Sequence, residues 1–437
     1  MGKSKMGLWM LLALVIGNMI GSGVYMLPAS LAQIGSITIY SWILTAIGAI
    51  CVAFVFGRLS EALPKTGGPY AYAEEGFGRY IGSQSAFLYW IYVWTGNAAI
   101  AIAGTGYLSF FIPSLKNPLN GAIAAIIILW ILTFNNMRNA RDIGFFQILI
   151  TIIKLLPLIA VILCGWFFFH PHYITESVNV TGKSNLSAIS LGLNFTLWAF
   201  VGIESATVPA GSVDNPKRNI PLATIIGTLF VAAFYIVVSV VVMGMIPNGT
   251  LQTSSAPFAD AAQIIFGHFG GTLIALGAFI SCVGCINGFI MLQGQVPMAA
   301  SKEGLFPFSK FFSKTNKNDM PVNALVFSTI LTSFFLLFTV SGNLNAQFNL
   351  IINLATSFAI LVYFLSALSE VILAKRNGLK IRLRAKLTIV IAIAYTFWAF
   401  FSVGPEMIFY EMILIFVSMI LYVFCDAAKK KDPNLSV

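Results

Sequence analysis

Long apolar runs separated by short polar breaks repeat along the whole chain. A helix needs about 20 predominantly apolar residues to cross a bilayer. The runs that qualify are 7–33, 37–58, 81–112, 119–136, 144–169, 188–211, 220–246, 270–300, 321–341, 347–370, 387–404 and 407–426. The pattern predicts an all-α integral membrane protein with about twelve transmembrane helices and no soluble block large enough to be a second domain. Several runs exceed the bilayer thickness and should tilt, break or protrude. The run from Met6 to Ala32 is too long for the core of a cleavable leader and lacks a small-residue cleavage site, so it reads as the first span.

Composition supports this reading. Charged residues make up 9% of the chain and hydrophobic ones 58%, whereas soluble domains carry about 25% charged residues. The basic residues also set an orientation. With the N-terminus in the cytoplasm, 22 of the 25 Lys and Arg fall in inside segments, Lys116 and Lys183 fall outside, and Lys154 lies within a span. The N- and C-termini are therefore expected in the cytoplasm. The net charge of +10 then faces an anionic leaflet and does not call for nucleic acid.

The candidate chemistry is sparse. His170, His172 and His268 all sit at loops, and no cluster of metal ligands lies in the spans. Cys282 and Cys285 form a C-x-x-C on an apolar helix, where two thiols without partner ligands read as small packing residues. No cofactor is expected, and neither an enzyme nor a channel with repeated charged rings fits. No stretch remains for an appended signalling domain.

Two spans break the pattern. The first contains Gly17, Gly21 and Gly23 within seven residues, which is costly for a helix. Either the helix unwinds beside a cavity, exposing N–H groups suited to a carboxylate, or the glycines form a close-packing face. The sixth span places Gly202 beside Glu204, an ionisable group at membrane depth. Lys154 in the fifth span is the other deep charge, so the two could also form a structural ion pair. The breaks fall five spans apart, the signature of an inverted five-plus-five repeat with its substrate site where the interrupted helices meet. The expected division is 1–169 for one repeat, 188–370 for the other, and 387–426 for two additional helices.

These residues resemble the amino acid–polyamine–organocation family, in particular its basic amino acid/polyamine antiporters such as the arginine/agmatine exchangers. The resemblance is carried by G-N-x-x-G-S-G-V at 17–24, Gly67 to Ala73, Tyr89-Trp90, Gly96-Asn97, Trp198 to Ala206, Asn215 to Asn219, Gly244 to Asn248 and Glu303 to Pro307. It implies a LeuT-like fold with broken helices 1 and 6, alternating access, and a small amino acid or amine as substrate. It also implies a homodimer through the last two spans and a bacterial inner-membrane location.

By this resemblance the broken first helix from Met19 through Ile20 to Gly23 takes the substrate carboxylate, through the amides around Ser22 and Gly23, and carbonyls near Met19, Trp198 and Val201 take the α-ammonium. Asn97 contacts the distal end, Trp198 closes over the substrate, and Tyr70 gates the inner side. Glu204 serves proton sensitivity or cation recognition. Two departures matter. Phe289 stands where the basic-substrate antiporters carry a tryptophan, and Tyr92 with Val93 alters the third span beside the site, so the implied substrates extend to other basic amino acids, polyamines or neutral amino acids. Lys154 resembles the lysine that replaces Na⁺ in sodium-independent members. The expected activity is sodium-independent exchange of basic amino acids or polyamines, with proton-coupled import through Lys154 or Glu204 as the alternative.

Overall fold

Residues 5–138, 140–340, 343–378 and 382–431 are described by a computed structural model of the chain. Of the basic positions counted above, Lys3 and Lys380 lie outside the described residues, as does the expected end of the ninth span at 341. The first span is divided into α1 (Leu8–Met19) and α2 (Ser22–Ala32). Next come α3 (Thr38–Ala62), the short α4 (Pro69–Phe77), α5 (Arg79–Leu108), α6 (Pro118–Asn135) and α7 (Ala140–Gly165). A short α8 (Pro171–Thr175) leads to the sixth span, formed by α9 (Asn185–Phe200) and a tight turn at Ile203–Ala206. The remainder is α10 (Pro216–Met245), α11 (Asn248–Leu251), α12 (Pro257–Lys302), α13 (Ser309–Phe312), α14 (Val322–Phe338), α15 (Leu344–Arg376), α16 (Leu383–Ser402) and α17 (Pro405–Lys431).

Eleven of these segments are long and apolar enough to cross a membrane, and the shorter α14 brings the spans to twelve. Its 17 residues reach about 26 Å at 1.5 Å per residue, close to the hydrocarbon thickness. The protein is a multi-pass membrane protein. Helix ends follow local chemistry. Asn117 accepts from Leu119 N at 3.0 Å ahead of Pro118, the first residue of α6, and Asn343 accepts from Ala346 N at 2.8 Å to start α15. The eighth span starts earlier than its hydropathy suggests. α12 begins at Pro257 and turns sharply at Gly267 (φ 67°, ψ −165°), so a polar-edged first segment precedes the apolar run.

Helix α5 is almost wholly enclosed and packs against α12, α15 and α4. Small residues permit this. A Cβ added at Gly104 would lie 3.2 Å from Cys282 Cβ, and Cys282 and Cys285 are both buried and not joined in a disulfide. Helix α6 presents Leu119, Ile123, Ile127, Ile131 and Phe134 outward at helical spacing, as a lipid-facing stripe requires. Before α1 the chain pairs with the segment that follows the second break. Met6 N donates to Ser212 O at 2.9 Å and Asp214 N donates to Met6 O at 3.0 Å. The two interrupted spans are thus tied together at one end.

Candidate substrate site

The first break leaves the last carbonyls of α1 without helical partners, and each finds a donor elsewhere. Lys154 Nζ, from α7, donates to Gly17 O and Ile20 O at 2.5 Å each. Cys285 Sγ, from α12, donates to Asn18 O at 3.0 Å, Tyr235 on α10 donates to Met19 O, and Ser281 adds a 3.3 Å bond to Ile20 O. A helix end buried without partners would be costly, so four side chains from three helices hold the break open. On its other side α2 starts at Ser22, and the N–H groups of its first turn have no partners within the helix. The glycines serve both purposes expected of them. Gly21 (φ −133°, ψ −131°) carries the chain through the break, and a Cβ there would come within 2.4 Å of Cys285 Sγ.

The second break runs through Val201 and Gly202. Gly202 has φ 109°, where a side chain is disfavoured, and the tight turn that follows carries Glu204. Glu204 is fully buried inside a cage of three tyrosines. Tyr89 and Tyr92 from α5 donate to Oε1 at 3.0 and 3.3 Å, and Tyr363 from α15 donates to Oε2. The same Tyr363 oxygen accepts from Gly202 N at 3.3 Å. The ion pair between Lys154 and Glu204 that the sequence leaves open is not formed. Lys154 is turned to backbone carbonyls and Glu204 to hydroxyls. Among the described residues no Lys or Arg side chain is paired with Glu204. Asn18 Nδ2 donates to Ser205 Oγ at 2.9 Å, joining the two breaks directly.

Most residues singled out by sequence converge here. Trp198 Nε1 donates to Ser22 Oγ at 3.2 Å, and its ring rests on Gly96, where a Cβ would lie 3.3 Å away. Gly23 faces Ala199 so closely that a Cβ would lie 3.0 Å from that residue's Cα. Phe289 and Tyr92 meet edge to face at 6.2 Å, and Phe289 Cζ would lie 3.4 Å from a Cβ on Gly202. Asn97 donates to Gln293 Oε1 at 2.7 Å. Met19 O already accepts from Tyr235 and from Gly21 N at 3.0 Å, and Trp198 O accepts from Val201 N at 3.2 Å. Tyr70 lies apart, on α4. Sequence reading missed Tyr89, Tyr363, Tyr235 and Gln293. Only Tyr89 had a signal, standing three residues before Tyr92 on one helical face.

Two closures flank the site. On the side assigned to the outside, Asn345, Asn349 and Asn353 recur every four residues on α15. Asn345 donates to Ser254 O at 2.9 Å, Asn349 accepts from Ser30 on α2 at 2.7 Å, and Asn353 accepts from Asn194 on α9 at 2.7 Å. Above them lies a cavity of about 750 Å³ lined by Lys116, Gln33, Gln252 and Asn349 among others. On the other side Tyr70 is buried near Glu74 and Glu303, while Arg79 holds the Glu303 carbonyl at 2.8 Å and Arg376 pairs with Glu75. Burial, with Glu74 beside it, pushes the Glu303 carboxyl up to about 7.

Known proteins share this design. The family profile described as amino acid permease matches residues 6–428. The chain is 36% identical to the putrescine transporter PotE of Escherichia coli (strain K12) over 424 residues, 96% of each chain. It is 34% identical to the putrescine transporter PotE of Haemophilus influenzae over 425 residues, 97% of each chain. It is 35% identical to the cadaverine/lysine antiporter of Escherichia coli (strain K12) over 383 residues, 86% of this chain and 85% of the other. A profile match over almost the full length, on a twelve-span helical fold with two interrupted helices, places this chain in the amino acid permease family of the amino acid–polyamine–organocation superfamily.

Proposed function

We propose that the protein exchanges a basic amino acid for a diamine across the bacterial inner membrane, by alternating access and without sodium. The observation that carries this reading is Glu204. It is a buried carboxylate with three tyrosine donors and, among the described residues, no paired cation, set among aromatic rings. A substrate ammonium supplies the missing charge, and Tyr92 and Phe289 supply aromatic faces for it. The putrescine and cadaverine/lysine relatives name cations of this chemistry.

In this reading the carboxylate of an amino acid sits on the first-turn amides of α2 at Ser22 and Gly23, favoured by the helix dipole. Its α-ammonium is met by the carbonyls around Met19, Trp198 and Val201. A diamine lacks the carboxylate and relies on its two ammonium groups instead. Trp198 closes over the substrate from outside and Tyr70 from inside. The division into repeats at 1–169 and 188–370 follows from breaks five spans apart. Lys154, bound to Gly17 O and Ile20 O, occupies with a fixed ammonium the place where carbonyls of an interrupted helix would bind a cation. The termini lie in the cytoplasm, and a homodimer forms through the last two spans, where α17 leaves Phe409, Phe416 and Ile420 exposed.

The test is uptake of labelled putrescine into sodium-free proteoliposomes. Uptake that requires internal ornithine or lysine supports exchange. Uptake into empty vesicles driven by an inward proton gradient would replace this reading with proton-coupled import.

A further inference from the structure

Asn97 is fully enclosed on α5, directly after Gly96, and it meets α12 at Gln293, one helical turn beyond Phe289. A chain of hydrogen bonds leads away from it through α12 to α14. Asn97 Nδ2 donates to Gln293 Oε1 at 2.7 Å, and Gln293 Nε2 donates to Thr329 Oγ1 at 3.1 Å. Thr329 Oγ1 donates to Leu325 O at 2.9 Å and lies 2.7 Å from Thr133 Oγ1. Proton counting gives this chain a direction. A hydroxyl has one proton and two lone pairs. Thr329 gives its proton to the Leu325 carbonyl, so it meets Gln293 and Thr133 as an acceptor. Gln293 then turns its NH₂ toward Thr329 and its oxygen toward Asn97. Asn97 in turn points its NH₂ at Gln293, which leaves Oδ1 over. That oxygen is buried and has no hydrogen-bond partner among the described residues. An acceptor held at such depth rewards a donor and penalises a methyl group in its place.

We propose that Gln293, backed by Thr329, is a positioning residue that locks Asn97 as a hydrogen-bond acceptor, and that this lock selects substrates ending in an ammonium over isosteres ending in a methyl group. The inference rests on the substrate site proposed above. A leucine at 293 would leave Asn97 free to present either end of its amide, and the selection would weaken without any change at a residue that touches the substrate.

The experiment is exchange of labelled ornithine in proteoliposomes, competed by unlabelled ornithine or by norleucine, which keeps the α-amino acid head and the three methylenes but carries a methyl group in place of the terminal ammonium. Wild type should favour ornithine. Gln293→Leu should lower that preference about tenfold through apparent KM, as loss of one hydrogen bond to a charged group predicts, with the maximal rate held within about twofold. Thr329→Val should move it in the same direction. Adding Asn97→Asp to Gln293→Leu should recover the preference, because a carboxylate accepts in either orientation. A preference unchanged in both single variants, or an equal loss toward both compounds, overturns the inference. A wild-type protein that treats ornithine and norleucine alike overturns the cationic-substrate reading itself.

Discussion

Asn18 and Ser205 join the two interrupted helices side chain to side chain, 2.9 Å apart, at the point where each loses its helical geometry. Both side chains are buried, so neither can turn to water for a replacement partner. Asn18→Ala should therefore cost about 1–3 kcal/mol, the range for orphaning a buried polar group. Thermal unfolding in detergent checks this, and an unchanged midpoint would remove the bond from the forces that hold the breaks together.

Lys154 satisfies two carbonyls at the α1 end of the first break. Lys154→Met keeps most of the side-chain volume but removes the donor, so the break should collapse or rearrange. We expect exchange to fall by about tenfold or more, in line with the cost of leaving buried acceptors unpaired. Wild-type rates should be the same in sodium and choline media. A sodium requirement in wild type would contradict the role given to the ammonium.

Glu204→Gln removes the charge while keeping an oxygen for the tyrosine hydroxyls. Apparent KM for a diamine should rise by about tenfold to a hundredfold, the range for a hydrogen bond to a charged group. Tyr363→Phe should have a smaller effect of the same sign. Equal KM values for wild type and Glu204→Gln would place the cation elsewhere.

Gly202→Ala probes the second break. Its φ of 109° disfavours any side chain, and the new Cβ would stand 3.2 Å from Asn18 Cβ. A cost of about 1–2 kcal/mol in backbone strain is expected, with exchange reduced because Phe289 is displaced as well. Gly249→Ala, where a Cβ would meet nothing within 4 Å, is the control.

The inner closure should respond to pH. Glu303, faced by Glu74, Lys65 and Arg79, has its carboxyl raised from 4.5 to about 7. A raised acid binds its proton more tightly in the packed state, so its contribution favours closure at low pH and is lost as pH rises from about 4.5 through 7. The accessibility of a single cysteine introduced on α4 should therefore increase over that interval when Glu303 is intact. In Glu303→Gln it should vary less with pH, and an equal pH response in both proteins would rule Glu303 out as its source.

The twelve spans were legible because lipid imposes one strong rule on composition. The two breaks were legible because glycine and charge at membrane depth violate that rule locally. What could not be read was azimuth. The tyrosine cage depends on Tyr363 of α15 facing Tyr89 and Tyr92 of α5, and helical periodicity within either element says nothing about which neighbour it meets. Tyr235 and Gln293 were hidden for the same reason. Helix α4 was missed because its nine residues are too short and too mixed to register as an apolar run, although Pro69 at its start and Gly78 at its end mark it clearly once it is seen. The early start of α12 was hidden by the polar edge of its first segment.

The ammonium of Lys154 is covalently fixed, and that limits the energetics of transport. A cation that belongs to the chain cannot be taken up from one bath and delivered to the other, so in this position it carries no sodium gradient. Swapping a singly charged amino acid for a doubly charged diamine moves one net charge per cycle, and a charge crossing the membrane potential is worth about 2.3 kcal/mol per 100 mV. The steepest substrate ratio the protein can hold is then set by voltage, roughly fiftyfold per 100 mV, multiplied by the ratio of the returning compound on the two sides. An exchanger of this design is a meter of two solute pools and of membrane voltage, and it runs in whichever direction those quantities dictate.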